Sequence, residues 1–179
     1  MKGELEGEEL PFVPGTVTTW SDWFEKHPET SVLNMSRKTF DYQRFVYTEP
    51  SDYVIGIKVG QSVKAFTFSY LVENPIVQEK IAGTPIIIAF DPTTARAFVF
   101  DGLLNEEEIQ FDDRYVDGLL VDQLTKSRWD PWSGSAILGK LSGKTLTSRY
   151  GIISFRKAWA IFYPDSPIID LESDGSELN

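Results

Sequence analysis

The chain has 179 residues, 41% hydrophobic and 25% charged, the proportions of one soluble folded domain. With no Cys and a single His (His27), it excludes disulfides, thiolate zinc, iron–sulfur clusters, cysteine nucleophiles and any multi-histidine centre. Its net charge of −10 gathers at the ends, in Glu4, Glu6, Glu8 and Glu9 and in Asp170, Glu172, Asp174 and Glu177. Neither nucleic acid nor a membrane is therefore an expected partner, because phosphate binding needs a dense basic face and no apolar run approaches a membrane helix in length.

In chain order, residues 5–10 read as a short strand and turn, and Gly15 as a loop. A helix of about ten residues follows. Thr19 and Asp22 fit a capping box in its weaker Asp form, and Trp20, Trp23 and Phe24 make a core-facing stripe at i, i+3, i+4. Pro28 stops that helix, and Val32-Leu33 opens an extended segment. Residues 52–59 and 62–68 alternate around Gly60-Gln61 as a hairpin. Residues 70–73 suit one helical turn, ended by Asn74-Pro75. PIIIAF (85–90) is a buried central strand, Asp91-Pro92-Thr93-Thr94 a turn, and residues 95–100 the returning arm. Residues 107–111 and 118–121 are weaker strands, and residues 137–146 give short strands with tight turns at Gly139 and Gly143. The fold class is α+β: β-rich, mainly antiparallel, barrel- or sandwich-like, with two short helices near its ends.

Those two helices lie in an internal repeat. Residues 5–33 shifted by 136 fall on residues 141–169 without a gap. Leu5/Leu141, Gly7/Gly143, Leu10/Leu146, Gly15/Gly151, Trp23/Trp159 and Pro28/Pro164 are identical. The second copy reads as the same unit, with a loop at Gly151 and a stripe of Phe155, Trp159 and Phe162. The division expected is a partial repeat copy (1–35) docked on a single β-rich domain (36–170), then an acidic disordered tail (171–179).

SDYVIGIKVGQSVKAF (51–66), IAGTPIIIAFDP (81–92), ARAFVF (95–100), TKSRWDPWSGSAILGKLSGKTL (125–146) and FRKAWAIFYPDS (155–166) carry a resemblance. They resemble the second half of the bacterial and archaeal domain-of-unknown-function family 3179, and TVTTWSDWFEKHPETSVL (16–33) resembles the end of its first half. The resemblance implies two tandem, related halves. It also implies a Cys-Pro-x-Cys motif in the first half, where this chain's frame has Asp91-Pro92-Thr93-Thr94. Oxygen side chains there cannot exchange disulfides, so the redox chemistry does not carry over. The partners expected are a missing N-terminal half or a homodimer mate. An extracytoplasmic location follows from the resemblance, with the cytoplasm left open.

Several clusters are candidates for chemistry. Asp91 and Thr94 can flank a pocket, although a turn with Asp capping the backbone explains them more simply. Arg128, Trp129, Asp130 and Trp132 can form an aromatic platform for a planar ligand, set against a Trp packed in the core. The acidic stretch holding Glu106, Glu107, Glu108, Asp112, Asp113 and Asp117 lacks EF-hand spacing, so no metal or cofactor is assigned. His27, before Pro28, suits a helix end better than a general base, and a relay with Ser21 or Ser36 has no nucleophile-elbow sequence. The leading reading is a non-catalytic or catalytically incomplete domain acting through binding or lobe packing. The alternatives are a carboxylate enzyme with Asp91, Asp122 or Asp130 in a Trp-lined cleft, and an oligomeric structural protein.

Overall fold

Period-two alternation in the central segments sets the layers. In a computed structural model, which describes residues 19–31 and 49–171, helix α1 (Trp20–Lys26) precedes the strands. Strands β1 (Tyr53–Val59) and β2 (Ser62–Thr67) form the expected hairpin, Gly60 taking φ 59° at its turn. Thr67 then caps helix α2 (Phe68–Glu73), accepting the Tyr70 N–H, so the second arm ends one residue early. Strands β3 (Ile76–Ile81) and β4 (Thr84–Asp91) turn through Ala82 and Gly83, both at positive φ as a two-residue hairpin requires. Strand β5 (Arg96–Asp101) returns beside β4.

The remaining strands are short. They are β6 (Leu103–Leu104), β7 (Glu107–Glu108), β8 (Leu120–Val121), β9 (Arg128–Asp130), β10 (Ser135–Leu138) and β11 (Ser148–Arg149). Then come β12 (Gly151–Phe155), helix α3 (Arg156–Phe162) and β13 (Ile168–Ile169). Two four-stranded sheets result, in the orders β12-β1-β2-β13 and β11-β5-β4-β3, with a three-stranded sheet β10-β9-β8 and a ribbon β6-β7. All pairs are antiparallel except β2 with β13. The chain is thus strand-rich α+β, as its pattern predicts, but among the described residues the sheets stay open and no barrel closes.

Alternate residues of one strand serve different layers. Ile86, Ile88 and Phe90 of β4 meet Ile55, Ile57 and Phe66 from the first sheet. Their neighbours Ile87 and Ala89 face the other way, onto Phe111, Leu120 and Trp129 beneath the small sheet. On the outer side of the first sheet, Val54 and Ala65 hold Trp159 of α3. A Cβ on Gly56 would lie 2.0 Å from the Trp159 ring, so glycine makes the slot the indole fills.

Three local expectations are corrected. Gly151 opens no loop: it starts β12, where Ile55 and Val99 leave no room for a side chain. The repeat helices have seven residues each, not ten. Their stripes are not buried as stripes, for Trp20, Phe24, Phe155 and Phe162 are exposed and only Trp159 is fully covered. Helix α3, lying on the first sheet, inserts one large side chain where Gly56 leaves a hole, and its neighbours miss. The elements expected at residues 5–10, Gly15 and Val32-Leu33 and the tail beyond Leu171 lie outside the described residues.

Candidate functional site

The β4–β5 turn is the best-organised polar cluster. Asp91 and Arg96 are the cross-strand pair that closes it. One Asp91 oxygen accepts the Thr93 N–H at 2.9 Å, the side-chain cap expected of an Asp-Pro turn. The other accepts the Thr94 hydroxyl at 2.7 Å and the Arg96 guanidinium, Nη2 at 2.6 Å and Nε at 3.2 Å. Ala95 completes the turn at φ 52°. The Arg96 fork then reaches out of its own hairpin: Nη1 donates to Asp22 of α1 at 2.9 Å.

Trp132 stands next to this turn. Phe98 of β5 lies 5.6 Å from its ring, Lys26 of α1 places Nζ 4.0 Å from the ring centroid, and the Arg96 guanidinium carbon lies 5.2 Å away. His27 and Trp23 approach the same ring at 6.4 Å. Helix α1 is therefore seated beside the β4–β5 turn by an acid on Arg96 and by a base and two rings on Trp132. A cavity of about 390 Å³ opens beside this seat, lined by Lys26, Asp91, Arg96, Tyr115, Asp130 and Trp132 among others.

The candidate residues divide cleanly. Asp91, Asp130 and Trp132 line that cavity, and Thr94 sits behind it, bonded to Asp91. Trp129 is fully buried against Phe111, ring planes at 83°. Arg128 pairs outward with Asp117 at 3.0 Å. Asp122, the third carboxylate of the enzyme alternative, is absent from that cavity's lining; it is buried beneath a different turn. It accepts the N–H groups of Thr125 and Ser127 and the Trp129 indole N–H at 3.2 Å. Asp130 caps its own turn, accepting from Trp132 and Ser133. Of the acidic stretch, Glu108 pairs with Lys80, Asp112 with Lys126 and Asp117 with Arg128. Among the described residues, no group of three or more His, Asp or Glu is placed to hold a metal ion. Arg96, Lys26, Asp22 and Tyr115 are new to the site. Arg96 was within reach of sequence reasoning, because opposite charges flanking a four-residue hairpin loop mark a cross-strand pair.

The surroundings of Asp91 and Asp122 favour their ionised forms. Burial pulls the Asp91 carboxyl up, but Arg96, Thr94 and the Thr93 N–H outweigh it and hold the group below the ordinary range. Asp122 is also drawn upward by burial and held low by Thr125, Trp129 and Ser127. Asp170 behaves alike, burial being overcome by Thr67, Arg156 and Ser69. Burial raises the Tyr115 phenol, so it stays protonated and donates to the Phe90 carbonyl at 3.1 Å. A carboxyl pKa lower in the folded chain than the unfolded value of about 4 adds stability above that value. This stability is lost as pH falls through the folded values. Denaturant melts are thus expected to hold their midpoint from pH 7 to 5 and to lose it below about pH 4. A midpoint unchanged down to pH 2.5 would contradict this.

Helices α1 and α3 close alike. The Trp23 indole N–H donates to Thr30 at 3.0 Å, and the Trp159 indole N–H to Ser166 at 3.1 Å, both pairs lying 136 residues apart. The ring at the helix end, His27 or Tyr163, lies 4.1 or 4.3 Å from its Trp. Backbone angles there agree to within a few degrees, −135°/65° and −133°/68°.

Open sheets and short helices define a strand-rich α+β fold whose organised polar site is the seat of α1. The family described as "Protein of unknown function (DUF3179)" matches residues 41–177, and the chain belongs to it. No curated protein and no solved structure matches significantly. Among the described residues, no helix is long and apolar enough to cross a membrane.

Proposed function

We propose that this chain is a lobe without catalysis of its own, acting by packing a Trp-bearing helical unit against its β4–β5 turn. The observation that carries this is the Arg96 fork, which joins Asp91 of the turn to Asp22 of α1 while Lys26 covers Trp132. The shared closing bonds of Trp23 and Trp159 support reading residues 5–33 as a second copy of the unit at 141–169. Arg96→Ala is expected to cost roughly 1–2 kcal/mol, since these charged bonds are only partly shielded. Amide exchange over residues 20–26 should rise strongly in that variant. Unchanged protection of α1 would sink the reading.

The cavity beside the seat favours a second reading, a small-molecule site. Lys26 and Arg96 against the Trp132 ring, with Phe98 beside it, suit a planar anion, and Asp91 and Asp130 shape the wall. Titration with benzoate, followed by the Trp132 indole resonance, tests it: a saturable shift supports the site. A response equal to that of the buried Trp129 indole removes it.

A further inference from the structure

Away from the α1 seat, three turns converge on a second cavity, of about 520 Å³, which shares no lining residue with the first. Each turn is fixed by its own bonds. The β6–β7 loop is two residues long, and Asn105 and Glu106 take φ 52° and 70° as such a loop requires. Residues 122–127 are tied to the neighbouring strand by Gln123. Its backbone N–H donates to the Gln110 carbonyl and its side chain to the Phe111 carbonyl, both at 2.8 Å. The third turn lies close against the second because Gly139 has no side chain: a Cβ there would fall 2.7 Å from Ser127 Cα. Leu141 then donates its N–H to the Ser127 hydroxyl at 3.0 Å. The walls are therefore organised without any ligand.

The floor is apolar. Leu104, Ile109 and Leu141 border the cavity and back onto the core beneath the small sheet, each half-buried. Leu124 borders it too, yet is 92% exposed. The charged rim divides by what is already engaged. Asp122 accepts from Thr125, Ser127 and Trp129, and Glu108 holds Lys80 and Gln110. Glu107 and Lys140 are exposed, and among the described residues neither has a side-chain partner. One uncommitted acid and one uncommitted base thus stand on different turns around an apolar floor, and they do not pair with each other.

We propose that this cavity binds a short apolar peptide with free ends, its ammonium on Glu107, its carboxylate on Lys140 and its side chains on the leucine-rich floor. A free amino acid carries both charges on one carbon, so gripping both would draw Glu107 and Lys140 together. A peptide keeps them apart. The size agrees, since cavities of roughly 300–1,000 Å³ enclose ligands larger than a single amino acid. The site owes nothing to the α1 seat, so it stands or falls separately from the lobe-packing reading.

The test titrates leucyl-leucine into the full chain and follows the backbone amide resonances. Saturable shifts centred on residues 104–110, 122–125 and 140–141 are expected. Acetylating the peptide's amino end or amidating its carboxyl end should each weaken binding roughly two- to fivefold, as for exposed charge pairs. Glu107→Gln should remove the penalty of acetylation and keep that of amidation, and Lys140→Gln should do the reverse. Both positions are exposed, so both variants are expected to fold. Leu124→Ser should weaken binding about tenfold through lost apolar contact. It should leave the melting temperature unchanged, because the side chain removed is almost wholly in water. The proposal is overturned by the absence of a saturable shift at millimolar peptide, by shifts centred elsewhere, or by penalties that persist unchanged in both Gln variants. Leucine binding as tightly as leucyl-leucine would make this an amino-acid site and overturn the peptide assignment. A lower melting temperature for Leu124→Ser would place that side chain in the fold and overturn its part in binding.

Discussion

Trp129→Ala is expected to lower stability by about 3–5 kcal/mol, the usual cost of emptying a buried aromatic site. The ring is fully buried, edge-on to Phe111 at 5.7 Å between Leu120 and Ala136, so nothing nearby can collapse into the space without moving a sheet. The substitution also strips Asp122 of the indole N–H it accepts. Asp122 keeps its backbone and Thr125 donors, so the polar loss is the smaller part. For a chain of this size the change corresponds to a fall of roughly 6–20 °C in melting temperature. A loss under 1 kcal/mol in a denaturant melt would mean that Trp129 is not the keystone of the small sheet. Trp129→Phe should recover about half of the loss, because the ring remains while the N–H bond goes.

Gly56→Val is expected to have an effect of similar size by the opposite route. A Cβ at residue 56 would fall 2.0–2.6 Å from three carbons of the Trp159 ring, inside any permitted contact. The ring must leave its slot, which exposes Val54 and Ala65 and unseats α3 from the first sheet. Overpacking ordinarily costs about 1–3 kcal/mol, and expelling a whole indole takes the cost to or beyond the upper end. The diagnostic is the coupling: Trp159→Ala alone is destabilising, but added to Gly56→Val it should cost little more, because the ring is already out. Additive losses in the double variant would show that the slot is not where the energy lies.

How much of this was readable beforehand depended on how local the physics was. The β1–β2 and β4–β5 hairpins and the Thr19 cap of α1 follow from contacts within a few residues, and the sequence shows them. The Asp91-Pro92 turn is of the same kind, its side-chain cap spanning two residues. The carboxylates of the enzyme alternative show the converse. Asp91, Asp122 and Asp130 look equivalent as letters, yet each caps its own turn, and only two of them border one cavity. The stripes of Trp20/Trp23/Phe24 and Phe155/Trp159/Phe162 misled for a related reason. Apolar spacing reports that a helix has something to bury, not how deep the opposing surface lets it go.

By itself, the sequence determined the strand-rich class, the central hairpins and the exclusion of sulfur chemistry at Asp91–Thr94. Each rests on residue type or on spacing shorter than one hairpin. Only the tertiary structure decided that β4 serves two cores at once, that Gly56 is the slot for Trp159, and that Arg96 ties α1 to the main lobe. The last two contacts join residues 74 and 103 positions apart. Chain spacing carries no signal over such a separation, so which face meets which is set by the shape and charge of folded surfaces.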